Sequence, residues 1–252
     1  MLRATFAAVA LAVTATAGAA SPKIHAKLTF DKVGYEYRNV ELTIDRGGKR
    51  FSRRIGRTYF APPKLHVRDL DADGESEFWV DTYTGGAHCC DESRFFRYVP
   101  ARARYVLTRH GWGNVGYRAK NLDGRAGVEL VSSDDRFAYV FTDFADSFFP
   151  LQLWHFDHGR LLDVTRAFPG QIDVNANALW SSYLKVRRTG DVRGVLAAWM
   201  ADQYLLDREQ AGWKALEAAN RGGDLDAADE FWPTGAAYLK ALRAFLLKTG
   251  YA

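Results

Sequence analysis

The hydrophobic pattern of this chain changes period near Asp173, and that change constrains the fold more than any other feature. Before it, apolar and polar residues alternate in short runs such as residues 26–30 and 40–44, separated by glycine, proline and acidic turns. After it, apolar residues recur three or four positions apart, as in residues 192–205 and 238–246. Alternation is typical of strands, and the longer period is typical of helices. The sequence therefore predicts an α+β protein, with antiparallel β-hairpins first and helices last.

Two stretches of the β-rich part are similar to each other. Residues 69–78 and 121–130 each combine an acidic, glycine-containing loop with an apolar segment, and a predicted hairpin follows each of them. The two stretches are 52 residues apart (121 − 69). A period of about 50 residues built from short strands is typical of propeller blades and stacked sheets. We therefore expect one β-rich domain of blade-like repeats over residues 21–172.

Residues 173–252 are predicted to form a small bundle of about three helices packed on the β-rich domain. Asp191 is placed to cap the first helix, Gly222 and Gly223 follow the second, and Pro233 opens the third. Short amphipathic helices are marginally stable alone, because each must bury its apolar face on another element. The helices are therefore expected to form a compact appendage.

The first 20 residues have the pattern of a signal peptide. Arg3 supplies a positive start, residues 6–13 are apolar, and residues 17–19 offer a small-x-small cleavage pattern. The apolar run is shorter than the roughly 20 residues that span a bilayer, although an uncleaved anchor is the alternative. We therefore predict a secreted or extracytoplasmic protein with no transmembrane segment after signal removal.

The charge of the chain says little about its partner. The net charge of +4 becomes +3 when the leader with Arg3 is removed. Several basic residues cluster in one predicted hairpin: Arg46, Lys49, Arg50, Arg53, Arg54 and Arg57. Such a cluster is most often a solvated face, and nucleic acid is not the expected partner. For an exported chain, a cell-envelope protein or a polyanion is the partner class that we expect.

An acidic loop in the β-rich part has the spacing of a calcium ligand set. Asp69, Asp71 and Asp73 occupy positions 1, 3 and 5, and Gly74 at position 6 permits a sharp turn. Oxygen ligands in this arrangement suit Ca²⁺. Position 12, where an EF-hand requires glutamate, holds Val80, and the flanks are strand-like. The spacing predicts one structural Ca²⁺ loop between strands, and a solvated Asp-rich turn is the alternative.

This loop resembles the calcium loops of FG-GAP and VCBS-type repeats, which are the blades of integrin-like propellers. The resemblance covers about residues 64–165. It implies that carboxylates at positions 1, 3, 5 and 9 and the carbonyl at position 7 hold the ion. Carried over by position, the ligands are Asp69, Asp71, Asp73, Glu75 and Glu77. In the second loop Arg125 stands where the third carboxylate would be, and its guanidinium can pair with Asp123 or Glu129 instead, so we predict one metal.

The two cysteines of the chain, Cys89 and Cys90, are adjacent and follow a glycine turn. Thiols of exported proteins tend to oxidise, so the sequence favours a vicinal disulfide. Two reduced thiols, or a metal or redox role with His88, are the alternatives. The turn also resembles a string in uncharacterised exported bacterial proteins. The candidate ligand-contacting residues are Gly85, Gly86, His88 and, at the corresponding turn of the second repeat, Asp135.

No standard catalytic motif occurs in the chain. It contains no Gly-x-Ser-x-Gly elbow, no His-Glu-x-x-His and no phosphate-binding glycine loop of the Walker type. The sequence therefore favours a non-enzymatic binding or structural module. The alternative is an exported hydrolase with its site at the glycine–cysteine turn, using His88, Asp81 and Asp135. That alternative requires His88, Asp135 and the cysteine pair to line one pocket.

Overall fold

The computed structural model describes residues 9–13, 22–226 and 231–252, and for residues 9–13 it describes the backbone alone. The strands of these residues are β1 (Val9–Val13), β2 (Ile24–Val33), β3 (Glu36–Arg46), β4 (Lys49–Tyr59), β5 (Lys64–Arg68), β6 (Glu77–Gly86), β7 (Cys89–Val99), β8 (Arg104–Gly113), β9 (Arg118–Lys120), β10 (Glu129–Ser133), β11 (Leu151–Asp157) and β12 (Arg160–Asp163). The helices are α1 (Pro169–Val186), α2 (Arg193–Leu205), α3 (Glu209–Arg221) and α4 (Gly235–Thr249). Short 3₁₀ turns occur at Pro100–Arg102, Asp135–Phe137 and Thr165–Ala167.

The strands form three four-stranded sheets. Their orders are β1-β2-β3-β4, β5-β6-β7-β8 and β12-β11-β10-β9. In the first two sheets every neighbouring pair is antiparallel. Sheets of consecutive hairpins followed by helices confirm the predicted α+β class. The described residues contain four helices where about three were predicted.

The chain divides into two compact units. The sheet unit comprises residues 1–129 and 155–162, and the helical unit comprises residues 130–154 and 163–252. Each unit therefore includes a segment from elsewhere in the sequence. The predicted leader, residues 1–20, lies largely outside the described residues, and the part that is described, β1, pairs with β2. The signal peptide and the domain boundary at 172/173 stay predictions.

The core of the sheet unit lies between its first two sheets. In β3, Val40, Leu42 and Ile44 are buried and the residues between them are more exposed, which is the alternation expected of a strand with one face toward a core. In β6, by contrast, Phe78 and Val80 pack in the same core while Trp79 on the other face is also buried. β6 is therefore covered on both faces over residues 77–80, and its residues toward Gly86 are more exposed.

The basic cluster lies mainly on β4, an edge strand of its sheet. Arg53 and Arg54 are exposed and form no ion pair with other described residues. Arg46, Arg50 and Arg57 are paired with Glu75, Asp45 and Glu36. Half of the cluster is thus compensated by neighbouring carboxylates, and exposed charge on an edge strand also discourages pairing with other chains.

The helical unit is built around α2. This helix is apolar on all sides, and its residues from Arg193 to Gln203 are all buried, as expected for a central helix. The buried Arg193 guanidinium is held by Asp191, with its Nη2 2.6 Å from Oδ2. The helix α1 was not predicted, because its buried residues form a narrow stripe among Asn, Asp and Ser: Ile172, Ala176, Leu179 and Tyr183. Among the helices described, none has the length and apolarity required to cross a membrane.

Candidate functional site

The acidic loop connects β5 to β6 in the sheet unit. Its carboxylates accept hydrogen bonds from its own backbone: Gly74 N donates to Asp69 Oδ2 over 3.0 Å, and Glu75 N donates to Asp73 Oδ1 over 2.9 Å. Gly74 has a φ of +87°, in the left-handed region that glycine adopts at no steric cost. The loop is therefore folded back on itself, with its acidic side chains facing inward.

Three of the predicted ligands meet at one point. Asp69, Asp71 and Glu77 each offer a carboxylate oxygen, and these oxygens lie within 4.8 Å of one another. Among the described residues, no other group of three His, Cys, Asp or Glu side chains is this close together. The loop and the first residue of β6 thus build a centre of negative charge, and its location is the one predicted from the spacing.

Glu77 is the buried member of this cluster. Its side chain is 0% exposed, and its Oε2 accepts a hydrogen bond of 2.9 Å from Leu70 N. Its Oε1 is buried without a hydrogen-bond partner among the described residues, and so is Oδ1 of Asp69. Burial, reinforced by the negative charges of Asp71, Asp73 and Asp69, raises the pKa of Glu77 to about 8. Buried oxygens without a donor are costly, so this geometry favours an additional positive group at the cluster.

The other two predicted ligands have partners already. Arg97 on β7 places its Nη2 2.6 Å from Asp73 Oδ2, and its Nε lies 3.4 Å from Asp71 Oδ2. The Glu75 carboxylate forms a bidentate pair with Arg46. Asp73 and Glu75 therefore direct their carboxylates to arginines. The carbonyl of Glu75, predicted at position 7, is not affected by these side-chain pairs.

A second contact to the cluster comes from the hairpin between β11 and β12. His158 N donates to Asp71 Oδ2 over 3.0 Å. Neither His158 nor Arg97 was identified from the sequence as part of this site. Both reach the loop from distant strands, 87 and 24 residues away in sequence. A local motif contains no signal for such partners, because sheet register and hairpin position decide them.

The second acidic loop, residues 121–129, shares one contact with the first loop and differs in the others. Leu122 N donates to Glu129 Oε2 over 2.9 Å, as Leu70 N does to Glu77. At position 1, however, Asn121 donates from its amide Nδ2 to the carbonyls of Arg125 and Gly127. Arg125 Nε lies 3.6 Å from Asp123 Oδ2. An amide and a guanidinium therefore supply donors within this loop, and the number of bound metal ions stays a prediction.

The glycine–cysteine turn joins β6 to β7. The sulfur atoms of Cys89 and Cys90 lie next to each other in this turn, and a disulfide between them stays a prediction. Cys90 N donates to Thr84 Oγ1 over 2.8 Å, and Tyr83 OH donates to the Gly86 carbonyl over 2.5 Å. A side chain on Gly85 would come within 2.8 Å of the ring of Tyr59, so a glycine is needed there. The turn is thus tied to its own hairpin and packed on a neighbouring ring.

Asp81 lies in a different place, a cavity of about 190 Å³ in the sheet unit. It accepts hydrogen bonds from Ser93 Oγ (2.5 Å) and Tyr117 OH (2.9 Å) and pairs with His66 Nε2 (2.8 Å). The residues that line the cavity are Thr58, Ala61, Pro62, Lys64, Asp81, Thr82, Tyr83, Asp91, Glu92, Trp112, Gly116 and Tyr117.

The candidate hydrolase residues are not assembled around this cavity. Neither His88 nor the cysteine pair is among its lining residues. Asp135 belongs to the helical unit, where it begins the 3₁₀ turn Asp135–Phe137. His88, Asp135 and the cysteine pair are therefore not part of the cavity that contains Asp81.

Comparison with known proteins finds two relatives and one family. Residues 172–250 match a family model described as the sll0997 C-terminal domain. Over 203 residues the chain is 30% identical to the "Probable thylakoid lumen protein sll0997" of Synechocystis sp. (strain ATCC 27184 / PCC 6803 / Kazusa), an alignment that covers 74% of the chain and 60% of that protein. It is 26% identical over 214 residues to the "Uncharacterized protein y4bJ" of Sinorhizobium fredii (strain NBRC 101917 / NGR234), covering 71% of the chain and 31% of that protein.

The chain spans less than two thirds of the length of each of these relatives. No solved structure matches it significantly. The name of the Synechocystis relative places that protein in the thylakoid lumen, an extracytoplasmic compartment, and this similarity confirms the predicted extracytoplasmic location.

The resemblance to FG-GAP and VCBS-type repeats was wrong. The matching family is that of the sll0997 C-terminal domain, and no FG-GAP or VCBS family is found. The physical reason is that the resemblance rested on about ten residues. Aspartates that accept hydrogen bonds from the backbone two to five residues later, with a glycine at the turn, form the same local loop in unrelated sheets.

Proposed function

We propose that this extracytoplasmic protein is a non-catalytic binding or structural module whose acidic loop binds one Ca²⁺ ion. The observation that carries the proposal is the pair of buried, unpartnered oxygens, Glu77 Oε1 and Asp69 Oδ1, beside the carboxylate of Asp71. Three carboxylates at this separation repel one another, and a cation at their centre supplies what their protein neighbours do not.

Calcium suits this donor set better than other common ions. The donors are hard oxygens on a loop that can adjust, whereas Zn²⁺ takes nitrogen and sulfur ligands and Mg²⁺ demands a strict octahedron. Three carboxylates leave several of the six to eight positions around Ca²⁺ for the carbonyl at position 7 and for water. The Arg97 guanidinium beside Asp71 and Asp73 reduces the negative charge, which favours a moderate affinity suited to extracellular calcium levels.

The proposed role of the ion is structural. Glu77 is the first residue of β6, and Asp71 holds the backbone of the β11–β12 hairpin through His158 N. An ion that binds both carboxylates links the loop to a buried strand and, through Asp71, to a distant hairpin of the same unit. Such an ion stabilises the folded sheet unit by mass action.

The experiment compares thermal unfolding in calcium and in a chelator, for the wild type and two matched variants. Glu77→Gln removes the charge at position 9 of the first loop, and Glu129→Gln makes the same change in the second. For the wild type we expect stabilisation by about 2.7 kcal/mol at a calcium concentration 100-fold above Kd. The calcium-induced rise in Tm should vanish in Glu77→Gln and persist in Glu129→Gln. A wild-type Tm that is identical in calcium and in chelator, with no binding heat by calorimetry, would overturn the proposal.

A further inference from the structure

The cavity around Asp81 combines negative charge with aromatic walls. Its charged residues are Asp81, Asp91, Glu92 and Lys64, and its aromatic residues are Tyr83, Trp112 and Tyr117. It contains none of the proposed calcium ligands, and Asp81, Thr82 and Tyr83 of β6 line it. The cavity therefore has three carboxylates and one lysine. The three carboxylates differ in whether neighbouring side chains bind them.

Asp81 and Glu92 are already partnered. Asp81 accepts from Ser93, Tyr117 and His66, so both of its oxygens have donors. Glu92 Oε2 lies 2.9 Å from Arg94 Nη2. Both carboxylates are thus held by neighbouring side chains.

Asp91 differs from both. It lines the cavity and is partly buried, and its side chain makes no hydrogen bond or ion pair with any residue that the structure describes. Burial and the nearby charge of Asp81 raise the pKa of Asp91, while Lys64 acts in the opposite direction. The cavity therefore presents one carboxylate with vacant acceptor sites, in an environment that favours the approach of a cation.

The aromatic walls are fixed in orientation. The rings of Trp112 and Tyr117 stack with their centroids 4.4 Å apart. Trp112 Nε1 donates to Ser93 Oγ over 2.8 Å, and Tyr117 OH donates to Asp81. Each ring is thus held by its polar end, so that its orientation is set before any ligand arrives. Aromatic rings beside a carboxylate are the arrangement that recognises organic ammonium ions.

A row of exposed rings continues from the mouth of the cavity. Phe60 lies with its centroid 6.3 Å from that of Tyr83, and Tyr35 lies 6.1 Å from Phe60. Phe60 is 63% exposed and Tyr35 is 78% exposed. Phe60 has a φ of +64° and donates its N–H to the Tyr35 carbonyl over 2.7 Å. A non-glycine residue held in the left-handed region with its ring in solvent is a feature that clusters at ligand sites.

We propose that this cavity binds a small primary ammonium compound, with its N–H groups donating to Asp91 and its methylene chain lying against Tyr83 and the Trp112–Tyr117 pair. The unpartnered carboxylate selects a hydrogen-bonding cation over an anion. The aromatic walls select an organic cation over a bare metal ion, which would need more oxygen ligands. The volume of about 190 Å³ restricts the bound part to a few heavy atoms, and a longer chain would extend along the row of exposed rings.

The test is a calorimetric titration of the full chain with putrescine, and with butane-1,4-diol as the neutral compound of the same shape. We expect saturable binding of putrescine, at least tenfold weaker binding of the diol, and a loss of at least tenfold in putrescine affinity for Asp91→Asn. The matched control is Glu41→Gln, an exposed carboxylate on β3 that should leave the affinity unchanged. An unchanged Tm of Asp91→Asn shows that the fold is intact.

A second variant tests whether the bound ligand is positively charged. Lys64→Met removes the one cation of the lining, so it should tighten putrescine binding severalfold. Equal binding of the diol and putrescine would identify a polyol site and overturn the proposal. So would unchanged affinity in Asp91→Asn, weaker binding in Lys64→Met, or no binding of either compound. Repeating the titration in chelator separates this site from the calcium loop, since putrescine binding should persist when the ion is removed.

Discussion

The two acidic loops of the sheet unit begin from the same backbone contact and end in different chemistry. In each loop the N–H at position 2 donates to the glutamate at position 9, over 2.9 Å in both. At position 1 the first loop has Asp69, which can accept but cannot donate, and the second has Asn121, whose amide donates to two carbonyls of its own loop. Position 1 therefore holds an acceptor in the first loop and a donor in the second, where Arg125 also stands in place of the third carboxylate.

The comparison teaches that a loop can satisfy its acceptors in two ways. The second loop uses protein donors, the Asn121 amide and the Arg125 guanidinium. The first loop leaves Glu77 Oε1 and Asp69 Oδ1 buried without a donor, and under the calcium proposal its stability would depend on the calcium concentration. We therefore expect the residue at position 1 to decide whether each loop responds to calcium.

A third buried carboxylate, in the helical unit, extends this comparison. Asp202 on α2 is 0% exposed, and its two oxygens accept from Leu151 N (3.3 Å) and Asn175 Nδ2 (2.7 Å). Burial raises the pKa of Asp202 to about 7. Asp202 is as buried as Glu77, but both of its oxygens have donors. Burial alone therefore does not make a carboxylate a cation ligand.

The largest expected effect on stability is the pH dependence that the Asp202 carboxyl group contributes. Since its folded pKa of about 7 exceeds the ordinary value of 3.8, the folded state holds a proton that the unfolded state releases. Stability should therefore fall as the pH rises from about 4 to about 7, by on the order of 4 kcal/mol in full. Asp202→Asn should remove this contribution, measured as the difference between wild-type and variant denaturation free energies at several pH values, followed by the helical signal in circular dichroism.

The control for this prediction is Asp207→Asn, which changes a side chain that is 94% exposed and should follow the wild-type pH profile. Calcium should not alter the difference between the wild type and Asp202→Asn. A pH profile that is the same in Asp202→Asn and the wild type would show that the carboxylate is ionised over this range.

The next largest effect is expected from Asn121→Asp. The new carboxylate cannot donate to the carbonyls of Arg125 and Gly127, so we expect a loss of about 1–3 kcal/mol of stability in chelator. Calcium should recover part of this loss, because three acidic side chains then share the second loop. The measurement is thermal unfolding in chelator and in calcium, with a count of bound ions by calorimetry. Equal stability of variant and wild type in chelator would contradict the role given to the Asn121 amide.

The smallest effect on stability is expected from Asp69→Asn. An amide at position 1 can donate within the first loop as Asn121 does in the second, so we expect a change of less than about 1 kcal/mol in chelator. The calcium-induced rise in Tm should nevertheless disappear, since the site loses one charged ligand. A variant that keeps the full calcium response would show that Asp69 does not bind the ion. It would also show that the residue at position 1 does not account for the difference between the two loops.

Features that depend on residues close together in sequence could be predicted, and features that depend on distant residues could not. The change of hydrophobic period located the strands before the helices, and the Asp-x-Asp spacing located the cluster, because both are decided by neighbours in sequence. The partners of the cluster, Arg97 and His158, depend on sheet register and hairpin placement, and no local pattern encodes them. For the same reason His66 was not identified as the partner of Asp81.

Two predictions were wrong or incomplete for a different reason. A short sequence pattern can occur in several different structures. The acidic loop was assigned to FG-GAP and VCBS-type repeats on a turn chemistry that any sheet can use. The helix α1 was missed because its four buried residues occupy one narrow stripe and its other positions are polar. Arg193 shows the converse case: a charged residue in an otherwise apolar run is buried, since Asp191 two residues earlier holds its guanidinium.

The sheet unit includes residues 155–162, and this has a consequence for the order in which the protein can be completed. A chain is made from its N-terminus, so the acidic loop and its strands exist long before the hairpin that donates His158 N to Asp71. Phe156, which packs its ring 5.4 Å from that of Phe95, arrives equally late. A nascent chain that has reached residue 129 therefore has an unfinished core. A fragment that ends at residue 129 would lack both the His158 N–H that donates to Asp71 and the Phe156 ring that packs against Phe95.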